Sequence, residues 1–240
     1  MMPYTHSPIS SYTAQKIAQN NGEKPTPHDQ LRNTVQQNQN HLDFSTQLLD
    51  SEGVTTVLNC LLNTSKTELV SLNLSNSRIN KEHIQLLGRV LEKHPNLHEL
   101  TLNNCGIDNT EFTLLAEILA KYNTVENLSL ADNFIRYSSF LDKEKQEKNA
   151  NYVSAYHQLI KCNNLKQLNL NNNPLCGGGI FIQGLLKTLN LNALCIDTPY
   201  FLDGDRKLIK QELDTHPLWQ QVVYMPGPAH FPVHLAEFFS

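Results

Sequence analysis

An apolar pattern that returns along the chain at fixed spacing limits the folds open to this sequence more than any other feature. The pattern starts at Leu69, Leu97, Val125 and Leu165, with intervals of 28, 28 and 40 residues. In each copy the first, fourth, sixth and eleventh positions are apolar, and the ninth is Ser, Cys or Asn. A unit of this size is too small to bury its own apolar side chains, so neighbouring copies must stack into one continuous core.

Weaker copies flank the four clear ones. Upstream, Leu42 and Phe44 fill the fourth and sixth positions, and Leu49 fills the eleventh. Downstream, residues 191–196 keep the apolar positions, but Pro199 stands where Asn or Cys belongs, so we expect the regular repeats to end there. The repeat also accounts for the composition, because 37 of the 240 residues are Leu and 27 are Asn.

The consensus LxxLxLxx[N/C]xL resembles that of the leucine-rich repeat family. The period of 28 residues and the Cys or Asn at the ninth position are most similar to its ribonuclease-inhibitor-like subclass. The resemblance covers residues 39–202, which amounts to about six repeats. It implies an α/β fold, a curved leucine-rich-repeat solenoid with a parallel sheet on the concave side and helices on the convex side. It also implies a protein-binding function without catalysis.

Elementary strand geometry assigns roles within each copy. Side chains alternate along a strand, so the fourth and sixth positions face the core, and we expect the third, fifth, seventh and eighth to face outward. The ninth-position side chain can bond to the backbone of the turn, and Cys105 and Asn133 are therefore predicted to be structural.

Between the strands, apolar residues recur at helical spacing, as in residues 84–91. We expect Asn109 or Thr110 to cap the start of the following helix. Gly88 is expected to allow a close approach of helix and sheet. His94, which precedes a proline, is expected to end its helix.

The two ends of the chain differ from the repeats. Residues 1–38 are polar and include Pro-Thr-Pro at 25–27, so we expect mostly a disordered N-terminal arm. A partner-binding or targeting segment is the alternative for this stretch. Residues 203–240 are expected to form a C-terminal cap.

Charge and composition argue against several functions. The formal net charge is −4, which disfavours nucleic-acid binding. No segment has the length and apolarity of a transmembrane helix, so no membrane association is expected. No secretory signal is visible, so we expect a protein that is cytoplasmic or is exported into a host cell without a classical signal peptide. We also expect it to be a monomer.

The sequence predicts no catalytic, cofactor-binding or metal site. The five cysteines lack CxxC spacing and are interpreted as reduced thiols. Cys195 falls on the concave side but has no positioned base beside it. The glycines at 177–179 are not followed by GK[ST], so a turn before a helix is favoured over a phosphate loop.

Two surfaces are candidates for binding a partner. The first is the polar concave face, which holds no Lys or Arg and on which five or six strands would span roughly 20–25 Å. The alternative is that its Asn and Ser side chains are only solvated. The residues we expect to contact a partner there are Asn73, Glu99, Thr101, Asn103, Asn127, Ser129, Asp132, Gln167, Asn169 and Asn171.

The second candidate surface is an insertion that explains the interval of 40 residues. The extra residues fall near 136–147. Arg136, Tyr137 and Phe140 supply the aromatic and Arg side chains that strong interfaces favour. The alternative is a solvated helix extension held by pairs of opposite charge.

These observations favour a non-catalytic protein–protein interaction module. The Asn-rich composition also fits a bacterial leucine-rich repeat effector that binds a eukaryotic host protein. A regulator that activates a small GTPase is the alternative, with Asn76, Asn104, Asp132 and Arg136 as the suspected residues. Ubiquitin ligation is disfavoured, because 38 residues after the repeats are too few for a separate catalytic domain.

Overall fold

Helices and short strands alternate along the chain. The computed structural model describes residues 26–37, 40–65, 68–136, 155–175, 178–189, 191–196 and 203–215. The strands are β1 (His41–Asp43), β2 (Ser71–Asn73), β3 (Glu99–Thr101), β4 (Asn127–Ser129), β5 (Gln167–Asn169) and β6 (Ala193–Cys195). The helices are α1 (Pro27–Gln37), α2 (Ser51–Asn63), α3 (Lys81–Lys93), α4 (Asn109–Tyr122), α5 (Gly179–Thr188) and α6 (Asp203–Thr215). Residues 155–159 are also helical.

The strands form one parallel sheet in which every neighbour in space is also the neighbour in sequence. The order is β1-β2-β3-β4-β5-β6. One leucine from each strand lies directly beside the next, and all of these side chains are buried at 2% exposure or less: Leu42, Leu72, Leu100, Leu128, Leu168 and Leu194. The predicted α/β leucine-rich-repeat solenoid is confirmed, including the weaker first and last copies.

The helices cover the buried side of the sheet with the residues that the periodicity predicts. In α3 the buried face includes Ile84, Leu87 and Leu91. In α4 it includes Phe112 and Leu115 at the equivalent places, one repeat later. Consecutive helices pack side by side, α1 on α2, α2 on α3 and α3 on α4. The core is therefore a single layer between helices and sheet.

Buried asparagines at the ninth position hold the turns that follow the strands. The Asn133 Oδ1 accepts hydrogen bonds from the backbone N–H groups of Cys105 and Ile107, both at 3.0 Å. Its Nδ2 donates to the carbonyls of Leu102 and Leu130 at 2.8 and 2.9 Å. One side chain thus satisfies backbone groups of two repeats, which would otherwise be buried without partners. The structural role predicted for Asn133 is confirmed.

The expectation of disorder is wrong for residues 27–37, which form α1. Leu31 and Val35 lie four residues apart and are both buried, so the helix has an apolar stripe that packs on α2. The Thr26 side chain and the Asp29 carboxylate bond to each other at the start of the helix. Two apolar residues in an otherwise polar stretch are too few for the sequence to predict this helix. Residues 1–25 lie outside the described part of the chain.

Two local predictions about helices need correction. The cap of α4 is Asp108 rather than Asn109 or Thr110, and its carboxylate accepts the Thr110 N–H at 2.6 Å. Glu111 completes a capping box by accepting the Asp108 N–H. Gly88 faces the side chain of Ile118, 3.1 Å from where a Cβ would stand, so it serves contact between helices and not between helix and sheet.

Gly179 allows close packing of the last described helix pair. A Cβ on Gly179 would lie 2.5 Å from the Cα of Asp205 in α6. The Gly179 N–H donates to the Asp205 carboxylate at 3.1 Å. The first turn of α5 therefore already has an anionic partner from the chain itself, in agreement with a turn before a helix.

We expect Gly179→Ala to lower the free energy of unfolding by about 3 kcal/mol, because the added methyl group would collide with backbone of α6. Urea denaturation of the purified chain measures this change. The matched control is Gly204→Ala, also near a helix start, where a Cβ would meet no atom within 4 Å. Equal effects of the two substitutions would contradict the close packing of α5 on α6.

His94 ends α3, as predicted, and joins it to the end of α2. Its side chain is 1% exposed, and its Nε2 donates to the Leu61 carbonyl at 3.1 Å. Burial lowers the pKa of His94 from its ordinary value of 6.5, since the charged imidazolium would lose its hydration. The neutral ring is the form that the fold accommodates.

A lowered pKa means that the unfolded chain binds a proton to His94 more readily than the folded chain does. This contribution to stability is therefore complete above about pH 6.5 and is lost as the pH falls below it. We expect the melting temperature of the protein to fall more steeply between pH 7.5 and 5.5 than that of a His94→Gln variant. If the melting temperatures of the two proteins changed equally with pH across that range, the proposed role of His94 would be refuted.

Candidate functional site

Two rows of side chains cross the exposed face of the sheet. Strand register places Glu99 beside Asn127 and Asn127 beside Gln167, which are third-position residues. The same register places Thr101, Ser129 and Asn169 side by side at the fifth position. We call the side chains at these two positions in β1–β6 the concave face. It brings together most of the residues predicted from the sequence.

A shallow depression of about 360 Å³ lies in this face across β3–β6. Its lining is formed by residues from both rows, with two core leucines beneath them: Glu99, Thr101, Asn127, Leu128, Ser129, Gln167, Leu168, Asn169, Ala193 and Cys195. Small-molecule sites are mostly apolar and enclosed. The open form and polar lining of this depression suit a macromolecular surface better than a cofactor.

Several of the predicted amides are already engaged within the fold. The Asn73 Oδ1 accepts from the Ser75 hydroxyl at 2.7 Å and from its N–H at 3.0 Å. The Asn103 Oδ1 accepts from the Ser129 hydroxyl at 2.7 Å and from the Ala131 N–H at 2.9 Å, so it links adjacent repeats. These contacts give Asn73 and Asn103 structural roles that sequence reasoning had not assigned.

The same holds for Asn169 in the last full repeat. Its Oδ1 accepts the Asn171 N–H at 3.1 Å. The Asn171 Oδ1 is buried and has no hydrogen-bond partner within the described residues. The predicted contact residues Asn169 and Asn171 thus shape the turn at this edge of the concave face.

Four predicted residues keep their polar groups available. Within the described ranges, no hydrogen bond engages the side chains of Glu99, Thr101, Asn127 and Gln167. Glu99 and Gln167 are exposed, and Thr101 and Asn127 are partly exposed. All four line the depression. They are the strongest candidates for direct contact with a partner.

The backbone conformation explains why Asn or Asp occupies the eighth position of the repeats. Asn76, Asn104, Asp132 and Asn172 have φ angles between 52° and 61°, in the left-handed region that Asn and Asp tolerate best. Their side chains also bond in pairs, Asn104 to Asn76 at 2.9 Å and Asn172 to Asp132 at 2.8 Å. Turn geometry therefore accounts for the Asn and Asp residues suspected in the GTPase alternative and for Asp132 as a contact residue.

The concave face extends further than the predicted contact residues. His41 and Asp43 of β1 continue the two rows beyond Ser71 and Asn73. Hydrogen bonds from Ser45 hold the pKa of Asp43 below its ordinary value, so the carboxylate is charged at neutral pH. The alternation around Leu42 was the signal for these two residues, and the prediction had left them out.

The cysteines offer no activated thiol among the described residues. Burial raises the pKa of Cys195, which lies at the depression, and raises that of Cys105 to about 12. Cys105 lies under the turn backbone, with its thiol 3.3 Å from the Leu74 carbonyl, as its structural role requires. In the same part of the chain, no three His, Cys, Asp or Glu side chains gather as metal ligands would, and no helix could traverse a membrane.

The predicted insertion is described only at its first residue. The backbone of Arg136 is fixed by Asn109, whose Oδ1 accepts the Arg136 N–H at 2.8 Å and whose Nδ2 donates to the Arg136 carbonyl at 3.0 Å. The Arg136 side chain is exposed. Tyr137, Phe140 and the rest of residues 137–154 lie outside the described residues, so their predicted role in binding stays a prediction.

Asn103 and Asn127 allow a hydrogen-bonded amide to be compared with a partly exposed amide that has no hydrogen bond within the described residues. We expect Asn103→Ala to lower the free energy of unfolding by about 1–3 kcal/mol, because the buried Ala131 N–H would lose its acceptor. Asn127→Ala is expected to change it by less than about 0.5 kcal/mol. Chemical denaturation of both variants provides the measurement, and a larger loss for Asn127 would reverse the assignment.

Comparisons with known proteins give only distant likenesses. No family model matches the chain, and no curated protein matches it significantly. A solved structure of actin-binding site 2 of leiomodin-1 shares 23% identity over 66% of this chain and 88% of that chain, with a TM-score of 0.49. The C-terminal domain of a Caenorhabditis elegans tropomodulin shares 17% identity over 67% and 91%, with a TM-score of 0.48.

A third solved structure, an internalin of Listeria monocytogenes, shares 17% identity over 74% of this chain and 51% of that chain, with a TM-score of 0.33. Likenesses at this level carry no statement about function. The fold is established by the molecule itself, through the leucines in register and the asparagine-bonded turns. This chain thus has a leucine-rich-repeat fold, and the predicted contact residues whose polar groups are available lie on its sheet.

Proposed function

We propose that the chain is a non-catalytic protein-interaction module that binds its partner on the concave face. The observation that supports this proposal most is the division among the polar side chains. Asn73, Asn103 and Asn169 are engaged by the fold, whereas the Glu99 and Gln167 side chains at the depression are not. Exposed groups on a rigid sheet bind without the entropic cost of ordering a loop.

The chemistry of the face favours a protein partner. Third- and fifth-position side chains supply carboxylates at Asp43 and Glu99, together with amides and hydroxyls. Among these described positions there is no Lys or Arg, so the concave face has nothing with which to neutralise phosphates. A protein surface with N–H donors, or with basic side chains opposite the carboxylates, is complementary to it.

Charge changes on the concave face test this function. The Glu99→Arg/Gln167→Arg double variant adds bulk and positive charge at the depression without removing a hydrogen bond of the fold. We expect its affinity for the partner to fall about tenfold or more. The larger side chains would clash with the partner, and their positive charges would repel its basic groups. Affinity capture from eukaryotic lysate with the full chain, followed by quantitative mass spectrometry, compares the variants.

The matched control is Glu117→Arg/Gln85→Arg, which makes the same chemical changes at exposed positions of α4 and α3. Proteins retained by the original chain and by this control, but lost with the concave variant, would support the proposal. Partners that both variants retain equally would place binding elsewhere. Circular dichroism and thermal melting verify that each variant is folded.

Repeating the affinity capture with lysate from the source cell tests the effector hypothesis. An effector that meets a eukaryotic host protein, as the Asn-rich composition favours, requires that the captured partner come from the host lysate. If partners are captured only from the source cell, the effector hypothesis fails while the binding function stands.

The GTPase-regulator alternative has less support from the geometry. The backbone already explains Asn76, Asn104 and Asp132, which leaves Arg136 as its main candidate. A panel of small GTPases incubated with the chain, with Arg136→Ala as the comparison, decides it. Stimulated hydrolysis that Arg136→Ala abolishes would favour the regulator.

A further inference from the structure

The depression in the concave face has different chemistry at its two ends. Glu99 of β3 lies at one end, and Ala193 and Cys195 of β6 lie at the other. The amides of Asn127 and Gln167 stand between them. Burial raises the pKa of Cys195, so its thiol is neutral and behaves as a small apolar group. Across these four strands the lining therefore changes from a carboxylate, through amides, to an apolar end.

The charge of the depression comes from a carboxylate that no cation of the described chain neutralises. Among the described residues that line the depression, Glu99 is the one with a charged side chain, and it has no ion pair within the described ranges. Lys166, one residue before β5, is already paired with Glu126 at 2.7 Å. The described positions of the concave face add the carboxylate of Asp43 and no Lys or Arg. The depression therefore favours a cationic partner group over an anionic one.

The width of the depression suits an extended chain. The third and fifth positions are two residues apart along a strand, so the two rows of side chains that line the depression are about 7 Å apart. Leu128 and Leu168 lie beneath these rows and close the depression from below. An α-helix with its side chains is about 10–12 Å wide, too wide to settle between the rows.

The spacing of the strands fixes the spacing of the side chains that a partner needs. Three intervals of about 4.8 Å separate β3 from β6, so the carboxylate end and the apolar end are about 14 Å apart. An extended chain advances about 3.4 Å per residue, and its alternate side chains point to the same side. Residues i, i+2 and i+4 of a segment that crosses the strands therefore face the sheet over the same length of about 14 Å.

We propose that the depression binds an extended segment of a protein partner in which Lys or Arg stands four residues from a large apolar side chain. The cation pairs with Glu99, and the apolar side chain packs on Ala193 and Cys195. Midway between them, the Asn127 and Gln167 amides donate to and accept from the polar groups of the segment. This inference rests on the function proposed above and names the kind of partner that the concave face takes.

Selection from a phage-displayed library of random 12-residue peptides on the full chain tests the inference. We expect enrichment of peptides in which Lys or Arg stands four residues before or after Leu, Ile, Val, Met or Phe. The enriched sequences are then made as labelled synthetic peptides, and fluorescence anisotropy measures their affinity. Proline at i+3, which faces away from the sheet, is expected to leave binding intact, because an extended chain accepts it and a helix does not.

Variants of the chain locate the two ends of the bound peptide. Glu99→Gln keeps the shape and removes the charge, so we expect affinity to fall about threefold to fivefold and to depend less on salt concentration. Ala193→Gln puts a longer polar side chain at the apolar end, and we expect a loss of about tenfold. Glu99→Lys is expected to reject the enriched peptides and to bind versions in which Glu replaces their cation.

The matched control is Glu117→Gln, the same chemical change at an exposed position of α4. It is expected to leave the affinity for the peptides and its dependence on salt unchanged. Circular dichroism and thermal melting verify that each variant is folded.

Several outcomes would overturn the inference. They are an absence of enriched peptides, enrichment of acidic peptides, binding that proline at i+3 abolishes, as for a helical partner, and binding that Glu99→Gln leaves unchanged. Self-association of the chain in sedimentation, if Glu99→Gln abolishes it, would show that a second copy occupies the depression instead.

Failure of this inference is distinguishable from failure of the proposed function. If the peptide experiments fail while Glu99→Arg/Gln167→Arg still loses partners captured from lysate, the concave face binds a partner of another kind. If that double variant also retains every captured partner, both the inference and the proposed function fail.

Discussion

The register of one leucine per strand is the constraint on which the rest of this structure depends. A strand of three residues cannot bury its central side chain alone, and none of the six strands is longer than this. When Leu72 lies beside Leu100 and Leu100 beside Leu128, each closes the core for the next. The helices then have a continuous surface on which to pack. Stability in such an array is shared between neighbouring repeats, so no repeat is a folding unit by itself.

That constraint creates a second problem, which the asparagines solve. Tight turns under a continuous core bury backbone groups that the strands are too short to pair. Asn133 and Asn173 form hydrogen bonds to these backbone groups from inside the turn. The Asn and Asp residues at the eighth position adopt the left-handed backbone conformation that the turn requires. The high asparagine content therefore has a structural cause in the repeats. Asn richness on the exposed side is therefore weak support for a binding function. Glu99, Asn127 and Gln167 are better candidates, because their side chains form no hydrogen bond within the described residues.

The concave face owes its chemistry to the repeat positions that form it. The third and fifth positions stand on the sheet and carry carboxylates, amides and hydroxyls. Since the core fixes only every second strand residue and the turn residues around them, these exposed positions are free to vary. A stacked fold can in this way present a surface whose chemistry is set independently of the core.

The sequence alone determined the repeat, the parallel order of the strands, the buried faces of the helices and the rows of the concave face, because all of these follow from spacing. It did not indicate α1, whose two buried side chains are too few for a periodic signal, nor the cap at Asp108, which competes with equally suitable neighbours. Only the tertiary structure separated Asn103 from Asn127. The physical reason is that hydrogen-bond partners such as Ser129 and Ala131 come from the next repeat, at distances along the chain that spacing rules do not reach.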